Sequence, residues 1–152
     1  MDETPLLDQP VSMLMTTGDL ITAEPDDDLA SVWEMFEGGR ISHVPVLEGG
    51  VKLVGVLSLA DLLKLYPKTT ADFALHAHLG RSEPSLEQRK VSEVMTRNLE
   101  TIRPTSTLRQ AAQLFASGDF HSLLVTASDG ELLGILTSSD VIRSLLGELP
   151  RE

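Results

Sequence analysis

The sequence contains no cysteine among its 152 residues. Disulfide bonds and thiol chemistry are therefore excluded, and the composition fits a protein of the reducing cytoplasm. The chain also lacks any uninterrupted apolar run near the ~20 residues that a membrane-spanning helix needs. Met1 is followed by Asp2 and Glu3 rather than by the basic residues and apolar core of a signal peptide. The sequence therefore predicts a cytoplasmic protein without a membrane segment.

Basic residues are few. Lysine and arginine number 12 against 23 aspartates and glutamates, which gives a formal net charge of −11 at pH 7. Proteins that bind nucleic acid polymers or anionic membranes usually present a basic face. The charge balance therefore argues against both kinds of partner, although local donors could still hold a small anionic ligand.

Motifs for catalysis and metal binding are absent as well. The sequence has no P-loop, no dinucleotide-binding fingerprint and no Gly-x-Ser-x-Gly elbow. His76 and His78 lie two residues apart, which puts them on different faces of a helix, and no acidic cluster completes a metal site. We therefore predict that the protein is not an enzyme, has no metal site and requires no cofactor.

What the chain does contain is an internal repeat. Residues 11–66 are echoed by residues 91–146, and each copy ends in a similar phrase, GVLSLAD at 55–61 and GILTSSD at 134–140. Most equivalent positions are 79 residues apart, whereas the openings at 11–16 and 91–96 are 80 apart. A copy of about 56 residues would be marginal alone. We therefore expect a pseudo-twofold pair that packs face to face and forms two related clefts.

Each copy has the pattern of a β-α-β-β-α unit, so the predicted fold class is α/β. An extended stretch at residues 21–22 or 101–102 precedes a proline-containing turn and a helix with apolar residues at helical spacing. Two strands joined by a hairpin turn follow, and a second helix begins at Ser58 or Thr137. The predicted strands are residues 41–47 and 51–57 in the first copy, and 122–126 and 132–136 in the second.

The repeats also divide the chain. We predict an N-terminal tail at 1–10, repeat 1 at 11–66, a linker at 67–90 with a short helix at 72–79, repeat 2 at 91–146 and a C-terminal tail at 147–152. Repeat 1 carries nine acidic and three basic residues, whereas repeat 2 carries six and four. The second repeat should therefore repel an anion less strongly than the first.

The repeated phrase has two interpretations. Ser58 or Thr137 occupies the position of a helix N-cap, and Asp61 or Asp140 follows three residues later, so the phrase fits a capping box that needs no ligand. Alternatively, a helix N-terminus with a free hydroxyl binds a polar ligand. A carboxylate there repels phosphate but accepts hydrogen bonds from two adjacent hydroxyls, such as those of ribose. A nucleoside therefore fits this turn better than a bare phosphate does.

The phrase resembles the ligand signature of the cystathionine-β-synthase (CBS) type domain, Gly-hydrophobic-x-Thr/Ser-x-x-Asp. The openings at 11–16 and 91–96, and the segment SHVPV at 42–46, are similar to other parts of that family. The resemblance covers both repeats and implies a stand-alone tandem CBS pair whose repeats pack sheet to sheet. It implies an adenosyl ligand (AMP, ADP, ATP or S-adenosylmethionine) in the clefts between the repeats, and a homodimer formed through helices.

Carried onto this sequence, the resemblance implies that each cleft joins the Gly-to-Asp phrase of one repeat to the opening of the other. Asp140 and Asp61 would accept the ribose diol, and Thr137 and Ser58 would contact ribose or phosphate. We expect anionic ligands to favour the Asp140 cleft, because its repeat is less acidic. The residues implied for the favoured cleft are Thr16, Thr22, His121, Thr137 and Asp140. Those implied for the second cleft are Ser42, His43, Ser58, Asp61, Thr96 and Thr101.

The sequence thus predicts a regulatory, signal-transducing sensor of an adenosyl ligand that acts on an unidentified partner protein. The alternative is an assembly module with vestigial clefts, and a third reading is a nucleotide-handling enzyme, which turnover of ATP would reveal. Six apolar residues offer more surface than one sheet face can cover, which supports a homodimer. They are Trp33, Met35, Phe36, Leu62, Leu63 and Leu65.

Overall fold

The computed structural model describes residues 5–17, 20–37, 41–65 and 89–147. It is an α/β structure that divides into two compact units. We call Met1–Leu20 together with Leu99–Glu152 the terminal unit, and Ile21–Asn98 the central unit. The helix predicted at 72–79 lies outside the described residues, as does most of the predicted linker.

In residues 21–37, 41–65 and 89–98, the central unit contains one antiparallel hairpin and three helices. The elements are α1 (Leu29–Glu37), β1 (His43–Glu48), β2 (Lys52–Ser58), α2 (Leu59–Leu63) and α3 (Val91–Val94). In the hairpin, Val46 lies opposite Gly55, and a bulge follows between Val46 and Leu47. Ala23 adds a single parallel bridge to Val46. The extended stretch predicted at residues 21–22 is therefore reduced to one bridge at the next residue.

The described part of the terminal unit contains a three-stranded sheet and two longer helices. The elements are β3 (Thr101–Ile102), α4 (Leu108–Ala116), β4 (Ser122–Thr126), β5 (Leu132–Thr137) and α5 (Ser138–Leu145), preceded by 3-10 turns at Leu6–Asp8 and Val11–Met13. The strand order is β3-β4-β5, with β3 parallel and β5 antiparallel to β4. The strand at 101–102 and strand β4 are as predicted. Residues 5–10, predicted as a tail, instead lie against α4, where Leu108 N–H donates to the carbonyl of Gln9 over 2.9 Å.

Strand β1 begins two residues later than predicted. The reason is local: the carbonyl of Ser42 accepts a hydrogen bond from the N–H of Leu59 over 3.0 Å, at the start of α2. The backbone carbonyl of Ser42 therefore accepts from an N–H at a helix N-terminus instead of pairing within the sheet. The equivalent bond in the other unit runs from Ser138 N–H to the carbonyl of His121 over 3.2 Å.

The opening of each repeat lies in the unit that holds the rest of the other repeat. Val11 N–H donates to the carbonyl of Ser106 over 2.8 Å, and Val91 N–H donates to the carbonyl of Asp27 over 2.9 Å. Val11 and Val91 are both fully buried. The compact units therefore do not coincide with the sequence repeats, because residues 11–16 and 91–96 are exchanged between them.

Each unit has its own apolar core. In α1 the buried side chains recur at helical spacing, and the central core also takes alternate residues of the strands. The central core consists of Ala23, Leu29, Val32, Phe36, Val44, Val46, Leu57, Leu62, Val91 and Met95. The terminal core consists of Val11, Leu108, Ala111, Leu123, Val125, Leu136 and Val141. Within the part of the chain that the structure describes, no helix is long and apolar enough to span a bilayer.

Candidate functional site

The repeated phrase ends at a helix N-terminus in both units. The Thr137 hydroxyl accepts a hydrogen bond from the N–H of Asp140 over 3.2 Å, and Asp140 Oδ2 accepts one from the N–H of Thr137 over 2.8 Å. Ser58 and Asp61 make the same pair of bonds over 3.1 and 2.9 Å. Both phrases are capping boxes with aspartate at the third position. The capping interpretation is confirmed, and it engages one carboxylate oxygen of each aspartate.

The other oxygen of each aspartate faces a cation one helical turn further on. Asp140 Oδ1 lies 3.6 Å from Arg143 Nη1, and Asp61 Oδ1 lies 3.6 Å from Lys64 Nζ. The side chain of Lys64 is 73% exposed, whereas that of Arg143 is 35% exposed. Neither cation was predicted from the sequence. Their i,i+3 spacing from the aspartates, and their separation from each other by the 79 residues of the repeat, could have identified them.

The opening segments meet the strands that lead into these caps. Thr16 N–H donates to the carbonyl of Ile135 over 2.9 Å, and Ile135 N–H donates back over 3.2 Å. Thr96 and Val56 exchange equivalent bonds over 2.9 and 3.0 Å. Ile135 lies two residues before Thr137, so the opening of repeat 1 joins the phrase of repeat 2. This is the connection that the resemblance implied.

The glycine of each phrase is explained by this close approach. A Cβ atom placed on Gly134 would lie 2.8 Å from Met15 Sδ and 2.9 Å from the carbonyl oxygen of Thr16. On Gly55 it would lie 2.5 Å from the Met95 sulfur. The glycines therefore make room for the opening segment of the other repeat, and their presence needs no ligand.

His121 and Ser42 occupy equivalent places beside the caps. Their carbonyls accept the hydrogen bonds from the first residues of α5 and α2 that were described above. The side chain of His121 is exposed, and Ser42 Oγ lies 3.0 Å from Nδ1 of His43. His43 is in turn the register partner of Ser58. The structure therefore places the backbone of His121, whose side chain is exposed, next to the Thr137 cap and that of Ser42 next to the Ser58 cap.

Two of the predicted site residues lie in a different unit from the other residues of their predicted cleft. Thr101 pairs with Leu124 in the terminal unit, and Thr22 precedes the Ala23 bridge in the central unit. The reason is that the chain passes from one unit to the other between each opening and the extended stretch that follows it. The assignments of Thr22 to the Asp140 cleft and of Thr101 to the Asp61 cleft stay predictions.

The remaining residues form two clusters, each within a single unit. We call Thr16, His121, Thr137 and Asp140 the terminal site. We call Ser42, His43, Ser58, Asp61 and Thr96 the central site. Each cluster combines a capping carboxylate with exposed or half-buried hydroxyl groups, which suits hydrogen bonding to a hydroxylated ligand. Nowhere in residues 5–17, 20–37, 41–65 and 89–147 do three or more histidine, aspartate or glutamate side chains converge as a metal site would require.

Known proteins share both the sequence pattern and the fold. The family model of the CBS domain matches residues 11–68 and again 91–147. The uncharacterized protein MJ1426 of Methanocaldococcus jannaschii is 31% identical over 144 residues, which cover 83% of this chain and 86% of that protein.

Solved structures agree with these matches. The crystal structure of CBSX2 from Arabidopsis thaliana in complex with AMP has a TM-score of 0.70 at 28% identity, with coverage of 91% of this chain and 97% of that one. Against the full CBSX2 sequence, this chain spans 66%. The CBS domain of a bacterial CNNM/CorC family Mg²⁺ transporter in complex with ATP shares the fold at 22% identity, with a TM-score of 0.73 and coverage of 95% and 92%. The chain therefore belongs to the CBS domain family and carries two CBS domains in tandem.

Proposed function

We propose that the protein is a non-catalytic regulatory module that binds an adenosyl ligand (AMP, ADP, ATP or S-adenosylmethionine) at the terminal site. The observation that carries the proposal is the geometry of Asp140. Its Oδ2 atom is held by the cap at 2.8 Å, while the only partner of its Oδ1 atom among the described residues is Arg143, in an ion pair at 3.6 Å. An oriented carboxylate oxygen thus lies beside the Thr137 cap.

Ribose suits this carboxylate because its two adjacent hydroxyls are both donors. An ionised carboxylate offers about four lone-pair positions, so the diol can be accepted without breaking the bond to Thr137 N–H. A hydrogen bond to a charged group contributes about 1.5–3 kcal/mol. Support from relatives comes from CBSX2, which was crystallised in complex with AMP.

The central site should bind an anionic nucleotide more weakly than the terminal site does. The Asp61 side chain is only 10% exposed, compared with 23% for Asp140. Ser42 occupies the place of His121, so the central site has no imidazole at that position, and its own imidazole, that of His43, has Nδ1 3.0 Å from Ser42 Oγ. Repeat 1 also carries the larger excess of acidic residues. We therefore propose that phosphate-bearing ligands prefer the terminal site.

We further propose that the chain forms a homodimer and that ligand binding biases its contact with a regulated protein. The final helix of each repeat, with the residue that follows α5, exposes apolar side chains: Leu63 is 54% exposed, Ile142 and Leu145 are each 57% exposed, and Leu146 is 70% exposed. A ligand that binds one arrangement of the assembly more tightly would shift the population toward it.

The alternative function is an assembly module whose sites are vestigial. Both capping boxes are complete without any ligand, and no buried side-chain nitrogen or oxygen atom among the described residues lacks a hydrogen-bond partner. The helices alone would then account for the exposed apolar residues. A nucleotide-handling enzyme is the third candidate, and hydrolysis of ATP by the purified protein would favour it.

The deciding experiment compares AMP with its 2′,3′-dideoxy analogue. Thermal unfolding with AMP at about 100 times its dissociation constant should show about 2.7 kcal/mol of added stability. Isothermal titration should show at least tenfold weaker binding of the dideoxy analogue, which lacks both hydroxyls. Equal binding of the two compounds would show that Asp140 does not hold the ribose. If the whole adenosyl panel fails to bind, the assembly module is the better description.

A further inference from the structure

We infer that Arg143, in addition to His121, makes the terminal site selective for a phosphorylated nucleotide over the uncharged nucleoside. This inference rests on the proposed function. Arg143 lies outside the Gly-to-Asp phrase that identified the site. The hydroxyl and carboxylate groups of the site do not supply discrimination between nucleotide and nucleoside.

The positive charge of Arg143 lies close to the Asp140 carboxylate, which we propose accepts the ribose hydroxyls. Arg143 Nη1 lies 3.6 Å from Asp140 Oδ1, with Asp140 in the first turn of α5 and Arg143 in its last turn. The arginine side chain is 35% exposed and the aspartate 23% exposed. The pair is thus partly shielded from solvent, where opposite charges interact more strongly than in bulk water.

The consequence concerns the phosphate. Asp140 without a counter-charge would repel an anionic ligand, and the chain as a whole already carries a net charge of −11. Arg143 cancels the charge of Asp140 while Oδ1 keeps its capacity to accept a hydroxyl. In the same unit, Arg109 is instead paired with Asp8, at 3.4 Å, and both are about half exposed.

The central site shows the same pairing in a weaker form. Lys64 faces Asp61 at the same 3.6 Å, but its side chain is 73% exposed. Water and salt screen such a charge more effectively than that of Arg143. A lysine also lacks the planar, delocalised guanidinium, whose weak hydration favours partly buried ion pairs. Discrimination by charge should therefore be stronger at the terminal site.

The test measures the affinities for AMP and for adenosine by titration calorimetry. An Asp61→Ala background weakens the central site, so that the terminal site dominates the titration. Into this background we introduce Arg143→Gln, Arg143→Lys and, as a matched control, Arg109→Gln, which removes one positive charge elsewhere in the same unit. Circular dichroism checks that each variant is folded.

We expect Arg143→Gln to lower the affinity for AMP by about three- to tenfold and that for adenosine by less than twofold. Arg143→Lys should restore most of the preference for AMP, and 0.5 M salt should reduce the difference between the variants. Arg109→Gln should change the ratio of the two affinities by less than twofold.

Three results would overturn the inference: an unchanged ratio in Arg143→Gln, equal losses for both ligands, or an Arg109→Gln effect as large as that of Arg143→Gln. Each of these leaves the proposed function standing, because adenosine still binds. If neither AMP nor adenosine binds the unmodified protein, the inference fails, and the proposed function fails as well only if ADP, ATP and S-adenosylmethionine do not bind either.

Discussion

The backbones of Thr16 and Ile135 exchange two hydrogen bonds, one over 2.9 Å and one over 3.2 Å. Thr16 belongs to the first repeat and Ile135 to the second. The pair therefore fixes the opening of one repeat two residues before the helix cap of the other. The terminal site exists only because this exchange brings Thr16 to the unit of Thr137 and Asp140.

Replacement of Gly134 by alanine should disturb this contact. The added Cβ would lie 2.8 Å from Met15 Sδ and 2.9 Å from the carbonyl oxygen of Thr16. A side chain can move, but a backbone carbonyl that accepts from Ile135 cannot move without loss of that bond. We expect Gly134→Ala to lower the free energy of unfolding by about 1–3 kcal/mol, measured by urea denaturation.

A double variant separates the two contacts. Adding Met15→Ala to Gly134→Ala removes the sulfur but leaves the Thr16 carbonyl in place. The double variant should then stay less stable than Met15→Ala alone. Equal stability of these two proteins would mean that the carbonyl contact does not constrain residue 134.

The cap of α4 offers a test that is independent of any ligand. Thr107 Oγ1 accepts from the N–H of Gln110 over 3.2 Å, and Gln110 Oε1 accepts from the N–H of Thr107 over 2.9 Å. Thr107→Ala should cost about 0.5–2 kcal/mol, seen as a lower thermal midpoint. Thr105→Ala changes an exposed threonine in the preceding turn and should cost less. The prediction fails if the two variants unfold at the same temperature.

The two aspartates should differ in their effect on ligand binding but not on stability. Asp140→Ala and Asp61→Ala each remove a capping carboxylate, so each should cost about 0.5–2 kcal/mol of folding free energy. Because we assign the stronger AMP site to Asp140, Asp140→Ala should remove the tighter binding event in a titration and Asp61→Ala should leave it. Two equal AMP sites in the unmodified protein would contradict this order.

The proposed homodimer can be tested at Ile142, which is 57% exposed on α5. Ile142→Glu would bury a charge in an apolar interface, so light scattering at micromolar concentration should show a shift from two chains toward one. Val51→Glu is the matched control, since Val51 is 78% exposed in the hairpin turn. A protein that is already monomeric without substitution would refute the dimer.

Much of the fold could be predicted from residue patterns alone. Residues 122–126 form β4 as predicted, because a run of β-branched and apolar residues ends at a glycine-containing turn. Asp28 directly precedes α1, and its Oδ1 accepts from the N–H of Ser31 over 2.8 Å, as an aspartate at a helix N-cap does. These features depend on neighbours within four or five residues, which the sequence displays directly.

Other features depend on partners that are distant in the chain. Nothing in the spacing of Gly134 indicates that Met15 and Thr16 pack against it. The first extended stretch is likewise reduced to the bridge between Ala23 and Val46, a partner that is distant in the chain. The two cations, by contrast, could have been predicted. Lys64 and Arg143 follow the aspartates by three residues, and this i,i+3 spacing is visible in the sequence.

The exchange of opening segments also has consequences for how a two-repeat chain could evolve and for what happens when it is cleaved between its repeats. A protein with one repeat could complete its unit only by taking an opening segment from a second molecule. Joining two repeats in one chain makes that exchange intramolecular and raises the effective concentration of each segment, typically to millimolar levels for a short linker. A chain cleaved between its repeats should therefore yield two fragments that fold together, each supplying the strand neighbour that the other lacks.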